Sequence, residues 1–252
     1  SVKLTGNAHY QEAFGPLIEG VKYAEINDLD SVKALLNEKT AAIIVEPVQG
    51  EGGVYVCSKE FLTGLRKLCD ERDIALILDE VQCGMGRTGT IMTYFQYDIL
   101  PDILCLAKGI GAGFPMGAFV ANKKFAAAME PGDHGSTYGG NPMAGQACRT
   151  VFKILEDTKM IDHVQDISEY LIEKLDDLQE EFPCIKERRG LGLMIGLEFD
   201  KPVKDIVKTC LDLGLIVVTA GPHVVRMLPP FITTEKDVDQ AIAILKEAIE
   251  KN

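Results

Sequence analysis

The sequence predicts an α/β protein, in which a mainly parallel β-sheet with flanking helices is followed by a smaller α+β domain. Continuous apolar runs at residues 41–45, 75–78 and 103–107 have the length and composition of strands that are buried on both faces. An amphipathic helix pattern separates the first two runs, as in the crossover connections of parallel sheets. Beyond residue 142 the pattern changes, since long helices come first and shorter strands follow.

The first domain is predicted to span residues 1–155 and to end in a long helix between the domains. Its first long helix is expected to begin after Ser58, whose hydroxyl can accept a hydrogen bond from a free amide of the first turn. The helix between the domains is expected to begin at Asn141 and Pro142, a favourable cap and first-turn pair. The apolar face of the first long helix, with spacings near 3.6 residues, comprises Phe61, Leu62, Leu65, Leu68 and Cys69.

The second domain is predicted to span residues 156–252 and to combine helices with a separate sheet. Its first helix carries apolar residues from Ile161 to Leu178, with acidic residues on the other face. Its last helix is expected to begin at Thr234, which can form a capping box with Asp237. The strands are predicted near residues 193–199, 215–218 and 224–228.

Composition and charge argue against several classes of protein. The chain has 252 residues, of which 46% are hydrophobic and 25% charged, as is ordinary for a globular protein. Its 38 acidic and 26 basic residues give a net charge of −12, which disfavours nucleic acid as a partner. No apolar run approaches the roughly 18 residues of a membrane-spanning helix, so no membrane partner is predicted. Seven widely spaced cysteines without a CxxC pair favour reduced thiols in a cytoplasmic protein and no metal site.

Charged residues follow the three apolar runs of the first domain. The first run leads into Glu46, the second into Asp79 and Glu80, and the third into Lys108. Ligands of open α/β sheets bind beyond the carboxyl ends of the strands, so these residues mark a candidate site. A lysine beside a carboxylate can form a Schiff base with a carbonyl compound such as pyridoxal phosphate (PLP), while the carboxylate holds the pyridine nitrogen. A plain salt bridge at the sheet edge explains the Asp79 and Lys108 pair equally well.

Residues 84–89 (GMGRTG) match the GxGxxG pattern of dinucleotide-binding loops and follow a predicted strand. Two features argue against that interpretation. No clear amphipathic helix follows the glycines, and Asp79 and Glu80 precede them, where they would repel a pyrophosphate. A dinucleotide-dependent oxidoreductase therefore stays a minor alternative.

Six motifs, in this order, resemble the class III (ornithine/acetylornithine-type) aminotransferases, which are fold type I PLP enzymes. The resemblance covers essentially the whole chain, and the first domain would then be the second half of the PLP-binding domain. The motifs are residues 46–53 (EPVQGEGG), 79–82 (DEVQ), 84–89 (GMGRTG), 107–109 (AKG), 134–142 (HGSTYGGNP) and 225–230 (VRMLPP).

The resemblance implies a role for each matching residue around the cofactor. Lys108 would bind PLP covalently and then move the proton during amino transfer. Asp79 would pair with the pyridinium nitrogen, Val81 would pack on one face of the ring, and Gln82 would lie near its 3-oxygen. Thr137 would reach the cofactor phosphate of the partner subunit, so a homodimer is expected.

The resemblance also implies a substrate site and a reaction. Arg226 would hold a substrate carboxylate, Glu51 would pair with Arg226 and select the substrate, and Glu46 would support the site. On its position alone, in mid-strand, Arg226 could instead be a surface ion-pair partner. The expected reaction moves the ω-amino group of N-acetylornithine to 2-oxoglutarate in arginine biosynthesis. Ornithine, 4-aminobutyrate and succinyl-diaminopimelate are alternative donors.

The chain departs from the family in what precedes its first motif. The family's helix start for the PLP phosphate, its ring-stacking aromatic residue and its second carboxylate-binding arginine have no counterpart here. We therefore expect a carboxy-terminal portion of an aminotransferase that binds PLP weakly. A catalytically incompetent fragment, with an exposed sheet edge, is the alternative of a different class.

Overall fold

The computed structural model describes residues 2–252 and contains two compact units, the first ending at Ala41 and the second beginning at Ala42. The first unit has a short 3-10 helix and two helices, α1 (Ala8–Glu12) and α2 (Leu29–Leu35). Its irregular segments are tied together by Tyr23, whose hydroxyl donates to the Lys3 carbonyl oxygen at 2.6 Å.

The second unit begins with a four-stranded sheet in the order β1-β2-β3-β4. The first three strands are parallel and β4 is antiparallel to β3, so the sheet is mainly parallel as predicted. Apolar side chains and crossover connections explain the parallel strands. The strands are β1 (Ala42–Val45), β2 (Ala75–Asp79), β3 (Ile103–Leu106) and β4 (Ala118–Ala121).

Three helices of the second unit begin at the caps that the sequence predicts. The Ser58 hydroxyl accepts from the Phe61 amide at 3.1 Å, the Asn141 side chain accepts from the Ala144 amide at 2.9 Å, and Thr234 forms the predicted capping box. These three predicted starts are confirmed. The helices are α3 (Lys59–Arg72), α4 (Lys123–Ala126), α5 (Pro142–Asp157), α6 (Met160–Glu181), α7 (Lys204–Asp212) and α8 (Glu235–Glu250).

A second sheet has the order β5-β6-β8-β7 and is antiparallel throughout. Its core packs buried residues of α6, α7 and α8, such as Leu171, Ile206 and Leu245, against the strands. The second domain is thus α+β, and the predicted fold class is confirmed. The strands are β5 (Ile185–Leu191), β6 (Met194–Phe199), β7 (Val218–Thr219) and β8 (Val224–Met227). The domain boundary between residues 155 and 156 stays a prediction.

Three strands differ from the sequence prediction. The strand expected at 215–218 is only the two-residue β7, because its pairing with β8 begins at Val218. The strands β4 and β5 were not expected. Two exposed residues lie within the four of β4, and a register shift after Ile185 interrupts the period-2 pattern of β5.

No helix among residues 2–252 is long and apolar enough to cross a membrane.

Candidate active site

The carboxyl ends of β1, β2 and β3 bring together the charged residues Glu46, Asp79 and Lys108. Because these strands are adjacent and parallel, their carboxyl ends share one edge of the sheet. The electrostatics of Glu46 reflect this proximity. Burial raises the pKa of Glu46, the charges of Asp79 and Glu51 add to the rise, and a hydrogen bond from the Gly50 amide and the charge of Lys108 oppose it. The net effect is a raised pKa.

Lys108 begins a tight turn at the end of β3. Its φ of 48° lies in the left-handed region, which is unusual for a residue with a side chain. The turn passes close to the GMGRTG loop, since a Cβ on Gly109 would lie 3.1 Å from the Cβ of Met85. Lys108 is an exposed residue, so a ligand can reach its side chain. Strained backbone of this kind is common where a structure holds a functional side chain in place.

Asp79 and Glu80 are neighbours in the sequence, but their carboxylates have different partners and different exposure. The Asp79 carboxylate accepts from the Val81 amide at 3.0 Å and stays beside Glu46 at the sheet edge. Glu80 is only 1% exposed and accepts from the backbone amides of Thr93 and Tyr94 at 2.7 and 2.8 Å. It therefore anchors the following 3-10 helix. The alternation of side chains along a strand already indicates that the two carboxylates face opposite ways.

Arg226, in the middle of β8, approaches the same site from the second sheet. It is 7% exposed, and its Nη1 donates to the Gly50 carbonyl at 2.6 Å, to Glu51 Oε1 at 2.7 Å and to Gln82 Oε1 at 3.3 Å. Its Nε is buried without a hydrogen-bond partner among the described residues. Arg226 is thus a buried residue of the site and not a surface ion-pair partner.

Glu51 and Gln82 complete the surroundings of Arg226. Gln82 Nε2 donates to Glu51 Oε1 at 3.1 Å. Partial burial alone would raise the pKa of Glu51, but the hydrogen bonds from Arg226 and Gln82 outweigh it and lower the pKa. A Cβ on Gly50 would lie 2.2 Å from Gln82 Nε2, so a side chain there would displace the Gln82 amide. The Gly50 amide donates to Glu46 Oε2 at 3.0 Å, which links this group to the strand-end cluster.

The model of one protein family, aminotransferase class III, matches residues 1–249 of the sequence. The chain belongs to this family. Class III aminotransferases use PLP as their cofactor. The likeness in sequence therefore extends over both sheets and the site between them.

Relatives with curated names carry a narrower description. The acetylornithine aminotransferase of Clostridium acetobutylicum is 47% identical over 99% of this chain and 65% of its own length. That of Methanocaldococcus jannaschii is 45% identical over 96% of this chain and 61% of its own length. The chain thus spans less than two thirds of the length of these relatives.

Solved structures show the same fold. The N-acetylornithine aminotransferase of Stenotrophomonas maltophilia superposes with a TM-score of 0.81 at 36% identity, over 91% of this chain and 62% of its own. An ornithine aminotransferase from Toxoplasma gondii, which has PLP at partial occupancy in its active site, gives a TM-score of 0.91 at 30% identity, over 99% and 60%. The fold type I prediction is confirmed.

The residues at the sheet edge fit the reactive parts of PLP. An exposed lysine amine suits the aldehyde of the cofactor, and the carboxylate of Asp79 suits a protonated ring nitrogen. The lysine and the carboxylate both act on the electrostatics of Glu46, so they lie in one cluster. Val81 is half-buried beside Asp79, and Gln82 joins the cluster to Arg226.

Thr137 is the one predicted site residue that the structure does not bring to this cluster. It lies in a segment, residues 130–140, in which every residue is exposed. Within the described part of the chain it makes no hydrogen bond or ion pair. In the same segment, His134 packs edge-on against Phe119 at 6.4 Å between ring centroids. The predicted role of Thr137 toward a partner subunit stays a prediction.

The GMGRTG loop connects the two sheets. Arg87 donates from Nη1 to the carbonyl oxygens of Leu193 at 3.1 Å and Pro229 at 2.6 Å, and its guanidinium lies 4.6 Å from the ring centroid of Phe231. Burial lowers the pKa of Arg87 to about 10. The loop is followed by a short 3-10 helix, Thr93–Tyr97. A dinucleotide-binding loop instead leads into an α-helix, whose amino terminus binds the pyrophosphate.

Sequence reasoning missed Arg189, on β5. It is 8% exposed, and its Nε donates to the Gly53 carbonyl at 2.6 Å. In the sequence it lies in a short basic cluster that suggests only surface charge. The signal that could have revealed it is its neighbour Arg188. In a strand, two adjacent arginines must face opposite ways, and one of them then faces inward.

Proposed function

We propose that this chain contributes the active site of an acetylornithine aminotransferase. The reaction transfers the ω-amino group of N-acetylornithine to 2-oxoglutarate, as a step of arginine biosynthesis, in a cytoplasmic homodimer. The observation that carries the proposal is one cluster that unites Lys108 and Asp79 with the Glu51–Arg226 pair. The named relatives are six acetylornithine aminotransferases and one probable acetylornithine aminotransferase, at 40–47% identity, and they favour this substrate over ornithine.

The residues at the first sheet would hold the cofactor. PLP, when bound, supplies an electron sink for the carbon next to the amine. Lys108 would hold its aldehyde carbon and afterwards carry the transferred proton on Nζ, from a turn that fixes its backbone. Asp79, oriented by the Val81 amide, would keep the ring nitrogen protonated. Val81 would cover one ring face, Gln82 would lie near the 3-oxygen, and Thr137 would serve the phosphate of the partner subunit.

The residues at the second sheet would bind the substrate. A guanidinium can hold a carboxylate with two parallel hydrogen bonds, and Arg226 has an Nε that is still free of a partner among the described residues. With Glu51 in place, the charge of Arg226 is neutralised. The Glu51 side chain is 60% exposed, so it can turn toward solvent and leave Arg226 to a carboxylate of the substrate. Glu46 supports this exchange because it holds the Gly50 amide.

Covalent trapping on Lys108 tests the proposal. The chain is incubated with millimolar PLP, reduced with borohydride and analysed by peptide mass. We expect a stoichiometric adduct on Lys108, and none there in Lys108→Arg. Lys123→Arg, at another exposed lysine outside the site, is the matched control and should keep the adduct. Adducts scattered over surface lysines, in equal amounts in wild type and Lys108→Arg, would contradict the proposal.

One observation supports the alternative that the chain is catalytically incompetent and associates with another chain. The edge strands of the first sheet expose large apolar side chains, namely Ile44 at 38%, Phe119 at 48% and Val120 at 57%. Exposed apolar edges favour association with another chain. The two functions differ in turnover. An aminotransferase forms glutamate from N-acetylornithine and 2-oxoglutarate in proportion to the Lys108 adduct. A catalytically incompetent chain forms none, and its association increases with its concentration.

A further inference from the structure

The segment that carries Glu51 is a narrow loop with an unusual backbone. An antiparallel bridge between Val48 and Val56 closes it, and the Gln49 amide donates to the Tyr55 carbonyl at 2.9 Å. We call residues 49–55 the Glu51 loop. Val54 has a φ of 59° although it is β-branched. This conformation is sterically strained for such a residue and persists only where the surrounding structure holds it. Something must therefore hold the loop in this conformation.

The second sheet supplies what holds it. Arg189, Gly196 and Arg226 are register partners on β5, β6 and β8, so they form one row across three strands. Side chains of register partners lie on the same face of a sheet. A Cβ on Gly196 would lie 3.0 Å from the Cβ of Val54, so the glycine in the middle of the row makes room for the strained residue.

The two arginines of the row bind the two sides of the loop. Arg226 Nη1 donates to the Gly50 carbonyl at 2.6 Å, before Glu51, and Arg189 Nε donates to the Gly53 carbonyl at 2.6 Å, after it. The Arg189 guanidinium also lies 4.0 Å from the ring centroid of Tyr55. Glu51 thus sits between two carbonyl groups that are each fixed by a buried cation.

Arg189 is itself fixed by two carboxylates. Its Nη1 donates to Glu187 Oε2 at 2.7 Å and to Glu198, which is the register partner of Glu187 on β6. Burial alone would lower the pKa of Arg189, but the hydrogen bonds to Glu198 and Glu187 outweigh it and raise the pKa. Arg189 stays charged, and Glu187 and Glu198 fix the orientation of its guanidinium toward Gly53.

We infer that Arg189 is a positioning residue that holds the Glu51 loop so that Glu51 stays on Arg226. Among the described residues it forms no hydrogen bond or ion pair with Glu51 or Arg226, and it acts through the Gly53 carbonyl and the Tyr55 ring. The inference deepens the proposed function, because it assigns to Arg189 a part of the selection between substrates. Without Arg189, the loop loses one of its two arginine anchors, and Glu51 leaves Arg226 more often.

Hydrogen–deuterium exchange on the full chain tests the positioning itself, with no cofactor needed. In Arg189→Gln, peptides that cover residues 47–57 should exchange about tenfold faster, since a hydrogen bond to a charged group is lost. Arg188→Gln is the matched control, because Arg188 pairs with Asp176 of α6 and should leave these peptides unchanged. Equal exchange in Arg189→Gln and wild type overturns the inference. If Arg189→Gln does not fold, Tyr55→Leu removes the ring and should give a smaller acceleration in the same peptides.

Donor preference in the PLP-loaded enzyme separates this inference from the proposed function. In Arg189→Lys, the ratio of kcat/KM for N-acetylornithine to that for glutamate should fall by about fivefold, because Arg226 is more often free to bind the second carboxylate of glutamate. The change should lie in KM, and kcat should stay unchanged. A lower kcat with an unchanged ratio would mark a structural role only and overturn the inference. Faster exchange in the loop with wild-type donor preference would instead contradict the selecting role of Glu51 in the proposed function.

Discussion

The two sheets contribute to the site in different ways. The first sheet presents Asp79 and Lys108 at strand ends, where a substitution would alter contacts with a ligand rather than the packing of the sheet. The second sheet presents Arg189 and Arg226 from inside strands, where each arginine is almost fully buried and holds a loop of the other sheet. A site at strand ends can change its chemistry at little cost to the fold. A site inside strands is part of the packing, so changes there affect stability and substrate choice together.

The largest expected effect is on the first sheet. Lys108→Ala should reduce transamination by at least about 10²–10⁴-fold, which is the range for removal of a proton-transferring group. Because Lys108 is exposed, the temperature of unfolding should hardly change. The measurement pairs turnover with calorimetry. An unfolding temperature that falls together with turnover would mean that Lys108 supports the fold, as residues of the second sheet do.

Arg226→Gln should affect both properties. The Gly50 carbonyl and Gln82 lose a donor in a buried place, which costs about 1–3 kcal/mol of the free energy of unfolding. The KM for the carboxylate substrate should rise as well. Urea unfolding and steady-state kinetics measure the two effects. Arg72→Gln, at the exposed end of α3, is the control and should change neither.

Glu80→Gln tests whether a strand-end carboxylate can be purely structural. Burial raises the pKa of Glu80 from 4.5 to about 7, against the hydrogen bonds from Thr93 and Tyr94. A raised folded-state pKa adds stability that is fully present below the unfolded pKa and is lost as pH rises through about 7. The stability of wild type relative to Glu80→Gln should therefore fall between about pH 4.5 and pH 7. A difference that is independent of pH would contradict this assignment.

The smallest effects compare helix starts next to each sheet. Ser58→Ala removes the cap of α3 and Thr234→Ala removes the capping box of α8. Each should cost about 1 kcal/mol of the free energy of unfolding, with wild-type donor preference. Thermal unfolding of both variants measures this. A clear change of donor preference in either variant would show that the helices transmit more to the site than packing does.

The first sheet and its site residues could largely be predicted from the sequence. The apolar runs and the charges that follow them are local signals, and adjacency of parallel strands then brings Glu46, Asp79 and Lys108 together. The resemblance to the family supplied the pairing of Glu51 with Arg226, which local pattern alone could not, since 175 residues separate them.

The second sheet was harder to predict for a physical reason. The strand β5 is rich in charge and its register shifts after Ile185, so its period-2 pattern is hidden. The neighbouring Arg188 indicates that one of the two arginines faces inward, but which of them does so depends on register partners far away in the chain. Thr137 is the reverse case. Its motif implies a role toward a partner subunit, but the segment around it is exposed in this single chain, so that role stays a prediction.

A PLP titration of three proteins tests most directly that the first sheet holds the cofactor and the second selects the substrate. The absorbance of the Lys108 adduct is followed in wild type, Asp79→Asn and Arg226→Lys. The account predicts that Asp79→Asn weakens the apparent affinity for PLP by about tenfold or more, the equivalent of ~1.4 kcal/mol, and that Arg226→Lys leaves it unchanged. Equal losses in both variants would contradict the division of work between the two sheets.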